Sequence, residues 1–317
     1  MTTDLAIRVA GLRKAYRGQP AVAGVDLEVR RGECFALLGP NGAGKTTTVE
    51  ILEGYRSRDA GEVRVLGVDP ARADRAWRAR IGIVLQQVND VSELTVREVV
   101  RHLATYYPNP RQPDGVIEMV GLAEKRNART RELSGGQRRR LDVALGILGN
   151  PELVFLDEPT TGFDPQARRH FWDLIETLSA EGTTILLTTH YLDEAERLAD
   201  RVGVIVRGTL VAVDSPAQLG GRSAAKAVVR WRGPDGPREA PTDEPARLVH
   251  DLFARYGELS ELAVARPTLE DAYLAMIGAG DEHGAAAGGR RGEGRPRSGP
   301  SMEPSERSRV SREPGDD

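Results

Sequence analysis

Several features are nearly absent from this chain of 317 residues. It carries one cysteine, Cys34, so no disulfide can form within it. That thiol lies in an apolar stretch and reads as a buried structural group. Aromatic residues make up only 5% of the chain against 39% hydrophobic residues overall, which fits a soluble α/β protein of ordinary core size. No excess of one charge sign exists: 44 basic and 47 acidic residues give a net charge of −3, which removes any global electrostatic case for a nucleic-acid partner. No apolar run approaches the roughly 20 residues that span a bilayer. The start, Met1-Thr2-Thr3-Asp4, lacks a basic segment followed by an apolar core, so no signal peptide is expected. The chain is expected in the cytosol, and any membrane part is expected to come from a partner chain.

What is present centres on Gly39-Pro40-Asn41-Gly42-Ala43-Gly44-Lys45-Thr46-Thr47. It follows the apolar run Cys34–Leu38, which reads as a buried strand, and precedes Thr48–Leu52, which reads as the start of a helix. Strand, glycine-rich loop with G-x-x-x-x-G-K-[ST], then helix is a phosphate-binding arrangement. The glycines let backbone N–H groups turn inward on a polyphosphate, and the helix N-terminus adds partial positive charge. Lys45 supplies a full charge to the β- and γ-phosphates, and the Thr46 hydroxyl can ligate Mg²⁺.

Further along, short strands alternate with helical pieces. Leu5, Ile7 and Val9 share one side of a strand, and Val25, Leu27 and Val29 one side of another. Tyr16 lies between them, where it can stack on an adenine ring or pack on a sheet edge; spacing leaves both open. Glu62–Leu66 and Ile81–Leu85 read as strands, with a basic helical stretch over Ala71–Arg80 between them. Gln86 follows the second strand, where a glutamine can reach a metal or a water, or cap a sheet edge. Residues 94–150 turn helical, with Leu94, Val96, Val99, Val100 and Leu103 at helical spacing and prolines at 108, 110 and 113. Ser134-Gly135-Gly136-Gln137 then opens a helix, offering a hydroxyl and free N–H groups for an anion or simply a helix cap. Arg138-Arg139-Arg140 reads as a solvated helix face, with an anion patch the alternative.

Leu153–Asp157 is a continuous apolar strand ending in the carboxylates Asp157 and Glu158. Such a run fits a buried parallel strand, and acids at its C-terminal end sit where ligands bind in open α/β sheets. Asp157 can hold Mg²⁺, and Glu158 can polarise an attacking water. Thr183–Thr189 is a further strand, and His190 follows it on the same edge. Val202–Val206 and Leu210–Val213 read as a hairpin. Residues 223–278 hold a strand candidate over Lys226–Arg232, a Pro/Gly-rich loop and helices over Ala246–Tyr256 and Thr268–Ile277. From Ala279 onward Gly, Arg, Pro, Ser and Glu dominate without aromatics, and residues 279–317 are expected to be a disordered tail.

Taken together, Gly39–Thr47, Leu133–Gln137 (LSGGQ) and Leu153–Glu158, in that order, resemble the nucleotide-binding subunit of an ABC transporter. The resemblance spans residues 4–220. It identifies the three motifs as Walker A, signature and Walker B, Asp164 as the D-loop aspartate, His190 as the switch histidine, Gln86 as the Q-loop glutamine and Tyr16 as the adenine-stacking aromatic. Phe163 stands where leucine is more usual. Arg266-Pro267-Thr268-Leu269-Glu270-Asp271-Ala272-Tyr273-Leu274 resembles the tail of daunorubicin-resistance type exporter ATPases.

The resemblance implies an α/β P-loop NTPase (RecA-like) core, an antiparallel β-subdomain and a helical subdomain at about 87–150. A small α+β module follows over 223–278. It implies two copies meeting head to tail, with ATP between the P-loop of one and Ser134, Gly135, Gly136 and Gln137 of the other. Thr46, Gln86 and Asp157 would serve Mg²⁺, Glu158 would activate water and His190 would contact the γ-phosphate. The partners implied are an integral membrane permease subunit at the cytoplasmic face of the membrane and a second copy of the chain, with no nucleic acid. The compound exported would be a drug, antibiotic or lipid-like molecule. An importer ATPase is the near alternative. ABC ATPases of ribosomes carry two cassettes in one chain, whereas this chain has one LSGGQ. Those of DNA repair carry a long coiled coil before the signature, and here about 90 residues without sustained heptads occupy that place. A GTPase is excluded by the lack of Asn-Lys-x-Asp.

Overall fold

The computed structural model describes residues 4–84, 93–233 and 235–287. The chain begins with β1 (Leu5–Tyr16) and β2 (Gln19–Arg30), an antiparallel ribbon joined by a tight turn. β3 (Cys34–Leu38) follows, then α1 (Lys45–Leu52), and β4 (Ala60–Val65) returns to pair antiparallel with β1. These expected alternations hold: Ile7, Val9, Val25, Leu27 and Val29 are all buried. The stretch read as helical over Ala71–Arg80 is shorter than expected. A single turn at Pro70–Arg72 gives way to α2 (Arg75–Arg78), capped by the Asp74 side chain accepting from the Trp77 N–H. Two such caps within six residues, Asp69 and Asp74, divide the segment into separate turns.

β5 (Ile81–Val84) leads to α3 (Val96–Ala104), α4 (Pro113–Met119) and α5 (Gly135–Ile147). This helical region agrees with the periodicity and the proline breaks. The remainder of the core alternates strand and helix and closes on a hairpin: β6 (Leu153–Asp157), α6 (Pro165–Ala180), β7 (Thr184–Thr189), α7 (Leu192–Leu198), β8 (Arg201–Val206) and β9 (Thr209–Asp214). The main sheet has the order β5-β6-β7-β3-β8-β9, parallel except for the β8–β9 pair.

Its inner strands β3 and β6 are almost wholly apolar because both faces are covered, whereas the edge strand β9 is only partly buried. Cys34, Ala36, Leu38, Val154, Leu156, Ile185 and Leu187 point to one side, into a core shared with α3 to α7. Phe35, Leu37, Leu153, Phe155 and Leu186 point to the other, against α1 and the β1-β2-β4 sheet. Cys34 is buried and free, as expected, and burial pushes its thiol well above the usual range. The carboxyl ends of β3, β6 and β7 therefore open side by side on one edge.

The C-terminal segment holds more strand than its composition announces. β10 (Ala227–Gly233) pairs with β11 (Gly236–Thr242), which occupies the stretch expected to be a Pro/Gly-rich loop. Pro237 and Pro241 are accepted there because β11 is an edge strand. α8 (Pro245–Tyr256) and β12 (Ser260–Ala265) complete a small sheet-and-helix unit around Val229, Trp231, Leu252 and Leu259. The last helix, α9, spans Leu269–Ala287, beyond the boundary at 279 taken from composition. Its Leu269 is buried in the large core, with Tyr273 and Met276 packed against it. No helix among the described residues is long and apolar enough to cross a membrane.

Two expectations follow. Leu269→Ala should lower stability to urea by about 2–5 kcal/mol, the range for a leucine removed from a packed core. Glu53, the residue closing α1, is 7% exposed. Burial, with the nearby Asp157 and Glu50 charges, pushes its carboxyl up to about 8. A folded-state pKa above the unfolded one makes the native state hold the extra proton, so stability falls as pH rises from about 4.5 to 8. Glu53→Gln should flatten that fall in melts taken at a series of pH values; an unchanged slope would contradict it.

Candidate functional site

The loop after β3 is fixed by close backbone packing. A Cβ at Gly39 would stand 2.4 Å from the Ile205 carbonyl oxygen, and one at Gly44 2.3 Å from that of Ala21. Gly44 also has φ 105, a conformation that other residues avoid. The Ala43 N–H donates to the Pro40 carbonyl (3.1 Å), and the Gly208 N–H donates to the Ala43 carbonyl (2.8 Å). Lys45 is buried at the first turn of α1, and its Nζ donates to the carbonyls of Gly39 (2.7 Å) and Pro40 (3.2 Å). Its ammonium thus lies across the loop formed by Gly39, Pro40, Asn41, Gly42 and Ala43. Desolvation lowers the Lys45 pKa, opposed by Glu158 and Asp157.

Three strand ends bring the remaining groups to this loop. Thr46 Oγ1 lies 3.4 Å from Asp157 Oδ2, and the Thr188 hydroxyl donates to Asp157 Oδ1. The donor set suits Mg²⁺: one hydroxyl and one carboxylate, both hard oxygens, leave most positions for phosphate oxygens and water. No group of three His, Cys, Asp or Glu able to hold a metal alone occurs among the described residues. Glu158 leaves β6 with φ 45. Its N–H donates to both the carbonyl and the hydroxyl of Thr188 (3.1 Å each), which holds the unusual turn. Its Oε2 sits 3.4 Å from His190 Nδ1 and 3.5 Å from the Thr161 hydroxyl. His190 is half exposed and stacks at a tilt on Tyr191, 4.1 Å between centroids. Lys45, Thr46, Asp157, Glu158 and His190 are thus one cluster, with Thr47 the next residue on α1. Gln86 lies outside the described residues.

The other expected residues stand apart from this cluster. Ser134 caps α5 reciprocally with Gln137: the Gln137 N–H donates to the Ser134 hydroxyl (3.3 Å), and the Ser134 N–H donates to Gln137 Oε1 (3.0 Å). Open space surrounds the places where side chains would stand at Gly135 and Gly136. Asp164 caps α6 by accepting from the Ala167 N–H (2.8 Å), and Phe163 beside it is buried edge-on against Phe171. Tyr16 ends β1, 38% exposed, with Lys14 Nζ and the Arg56 guanidinium each 5.6 Å from its ring centre.

Arg139 corrects the reading of Arg138-Arg139-Arg140 as a solvated face: it is 8% exposed. Its Nε donates to the Pro159 carbonyl (3.1 Å) and its Nη2 to that of Asp157 (2.8 Å). It therefore holds, from α5, the turn that carries Glu158. The signal was in the spacing, since Arg139, Asp142, Val143 and Gly146 recur on the inner face of α5. Glu194 was also missed. It is fully buried on α7 and accepts from Trp172 Nε1 at 3.3 Å, tying the helix after His190 to α6. Burial raises its carboxyl pKa.

Arg139→Ala should lower kcat for ATP at least tenfold, with nucleotide affinity by calorimetry changed much less. Arg139→Lys should not restore it, because one ammonium cannot reach both carbonyls in the guanidinium's fork. Equal losses of affinity and kcat would mean general unfolding instead.

Comparison with known proteins points the same way. The ABC transporter family matches residues 22–161. The Nod factor export ATP-binding protein I of Ralstonia nicotianae is 44% identical over 237 residues, covering 73% of this chain and 74% of that protein. The daunorubicin resistance ATP-binding protein DrrA3 of Streptomyces coeruleorubidus is 37% identical over 306 residues, covering 87% and 96%. Among solved structures, a dimeric bacterial ABC transporter cassette superposes with TM-score 0.60 at 26% identity, over 66% of this chain and 98% of that one. An ATP-binding subunit of an ABC transporter does so with TM-score 0.65 at 22% identity, over 86% and 99%. The P-loop fold, the clustered carboxylates and these relatives place the chain in the ABC transporter family, as one of its ATP-binding, ATP-hydrolysing subunits.

Proposed function

We propose that this ATPase powers export through a separate membrane permease, working as a head-to-tail pair of copies at the cytoplasmic face of the membrane. One observation carries the paired arrangement. The cluster of Lys45, Thr46, Asp157, Glu158 and His190 lies on one sheet edge, while Ser134, Gly135 and Gly136 face open space at the start of α5. An anion site split in this way is completed when a second copy presents its α5 N-terminus to the phosphates.

In this reading ATP lies on the loop Gly39–Thr47, with Tyr16 against the adenine. Lys45 gives up its carbonyl contacts for the β- and γ-phosphates. Mg²⁺ held by Thr46, Asp157 and Gln86 would neutralise phosphate charge as it develops. Glu158 takes a proton from the attacking water, and His190, whose Nδ1 lies 3.4 Å from Glu158 Oε2, contacts the γ-phosphate. Asp164 stands at the facing surface. ATP thus joins two copies, and its hydrolysis removes the anion they share.

Export is supported by the relatives, named for Nod factor export and daunorubicin resistance, the second aligning with nearly its whole length. The cargo class that fits is a drug, antibiotic or lipid-like compound.

Glu158→Gln should bind ATP like wild type, hydrolyse it at least a hundredfold more slowly, and run as a dimer in ATP by size-exclusion chromatography with light scattering. Hydrolysis at the wild-type rate would remove Glu158 from its role. Lys45→Ala should lose measurable ATP binding. Tagged Glu158→Gln chain, drawn with ATP and Mg²⁺ from detergent-solubilised native membranes, should bring a polytopic membrane subunit in stoichiometric amount. Recovery of ribosomal or DNA-associated proteins alone would refute the transport role.

A further inference from the structure

His190 is held loosely by its polar partner. Its side chain is 42% exposed, and Nδ1 approaches Glu158 Oε2 only to 3.4 Å. An imidazole on so long a contact keeps rotamer freedom. A histidine that has to meet a phosphate oxygen needs its ring plane fixed by something further.

Two residues without a role so far supply this. Tyr191, next in the chain, lays its ring against the imidazole, with centroids 4.1 Å apart and planes inclined at 39°. Arg168, on the first turn of α6, sets its guanidinium over the same Tyr191 ring, 4.2 Å from the ring centre. A flat cation and an electron-rich ring attract one another at this distance. Hydrogen bonding does not account for the place of Arg168. Its Nε is shielded from water and donates to no acceptor among the described residues. Its Nη1 is 3.8 Å from Asp193, a largely exposed carboxylate, and an exposed pair at that separation contributes little. The Tyr191 ring is the partner that orders the guanidinium.

The elements on either side are fastened. The Tyr191 N–H donates to Thr189 Oγ1 (3.0 Å), and the Tyr191 carbonyl accepts from the Ala195 N–H (3.4 Å) where α7 begins. The Arg168 N–H donates to the Asp164 carbonyl (3.0 Å) where α6 begins. One turn further along α6, Trp172 Nε1 donates to Oε1 of the fully buried Glu194 (3.3 Å), which ties α7 to the face of α6 that carries Arg168. The Glu194 carboxylate and the Arg168 guanidinium also attract each other. The two helices therefore cannot slide apart without breaking a buried hydrogen bond.

We propose that Tyr191 and Arg168 are positioning residues for His190: guanidinium over phenol and phenol against imidazole, three planar groups in contact, hold the imidazole beside Glu158 and leave Nε2 for the phosphate. The inference rests on the role given to His190 above and adds what keeps that ring in place. Both residues act through His190, so their effect belongs to kcat and not to ATP affinity. The stack uses the ring of Tyr191 and not its hydroxyl, so phenylalanine can serve there and leucine cannot.

The test is steady-state ATP hydrolysis and calorimetry on the full chain. Tyr191→Leu should lower kcat about tenfold, with KM and ATP affinity within about twofold of wild type. Tyr191→Phe should bring kcat back to within about twofold of wild type, and Arg168→Met should lower it about threefold. In a His190→Ala chain, itself slower than wild type, Tyr191→Leu should cost nothing more, because the group it positions is gone. A general loosening of the fold would instead slow both backgrounds alike. An equal loss with and without His190, or wild-type kcat in Tyr191→Leu, overturns the inference and leaves the role of His190 standing. If His190→Ala hydrolyses ATP at the wild-type rate, the reading of His190 fails and the inference falls with it.

Discussion

In the proposed function a triphosphate is held within reach of two carboxylates, and the core is arranged in a way that suits this constraint. Asp157 and Glu158 would repel such a ligand, so the attraction has to come from fixed positive groups at short range. The chain supplies them as backbone N–H groups at the start of α1 and the Lys45 ammonium. Both depend on β3 being the buried central strand between β7 and β8, since that position points the loop into the crevice where β6 and β7 also end. The close approach of Gly39 and Gly44 to neighbouring backbone leaves the loop little freedom. The site is in this sense a product of sheet order.

Much of this was readable in advance for a physical reason. Parallel strands buried on both faces are continuous apolar runs, and their carboxyl ends are where the chain turns polar, so Asp157, Glu158 and His190 announce themselves by position. Arg139 did not, because a charge run normally faces water; only its spacing with Asp142 and Gly146 separates it from Arg138 and Arg140. β11 was hidden by Pro237 and Pro241, which an edge strand accepts and a central one does not. The short α2 was hidden because two aspartate caps break what composition reads as one basic helix. How α9 returns to the main core through Leu269 is a long-range fact, set by a surface more than forty residues away at Leu219.

The residues that hold the site in place reach it from different elements. Arg139 comes from α5 and Thr188 from β7, and each bonds to Asp157 or its neighbours, while Glu194 on α7 ties the helix after His190 to α6. Arg139 in particular joins α5 to the turn of Glu158. The helical region thus reaches the carboxylate turn by a guanidinium as well as by the close packing of Gly146 on β5.

Cys34 gives the fold a property of another kind. It is the only thiol, and it sits in the strand that feeds the P-loop, shielded on both sides. A thiol in that place reacts with a soluble reagent only when the central sheet parts. Its alkylation rate is therefore a clock for the rarest opening of the molecule, available without introducing any label. Any nucleotide that tightens the β3 edge would slow that clock by the factor its binding energy provides.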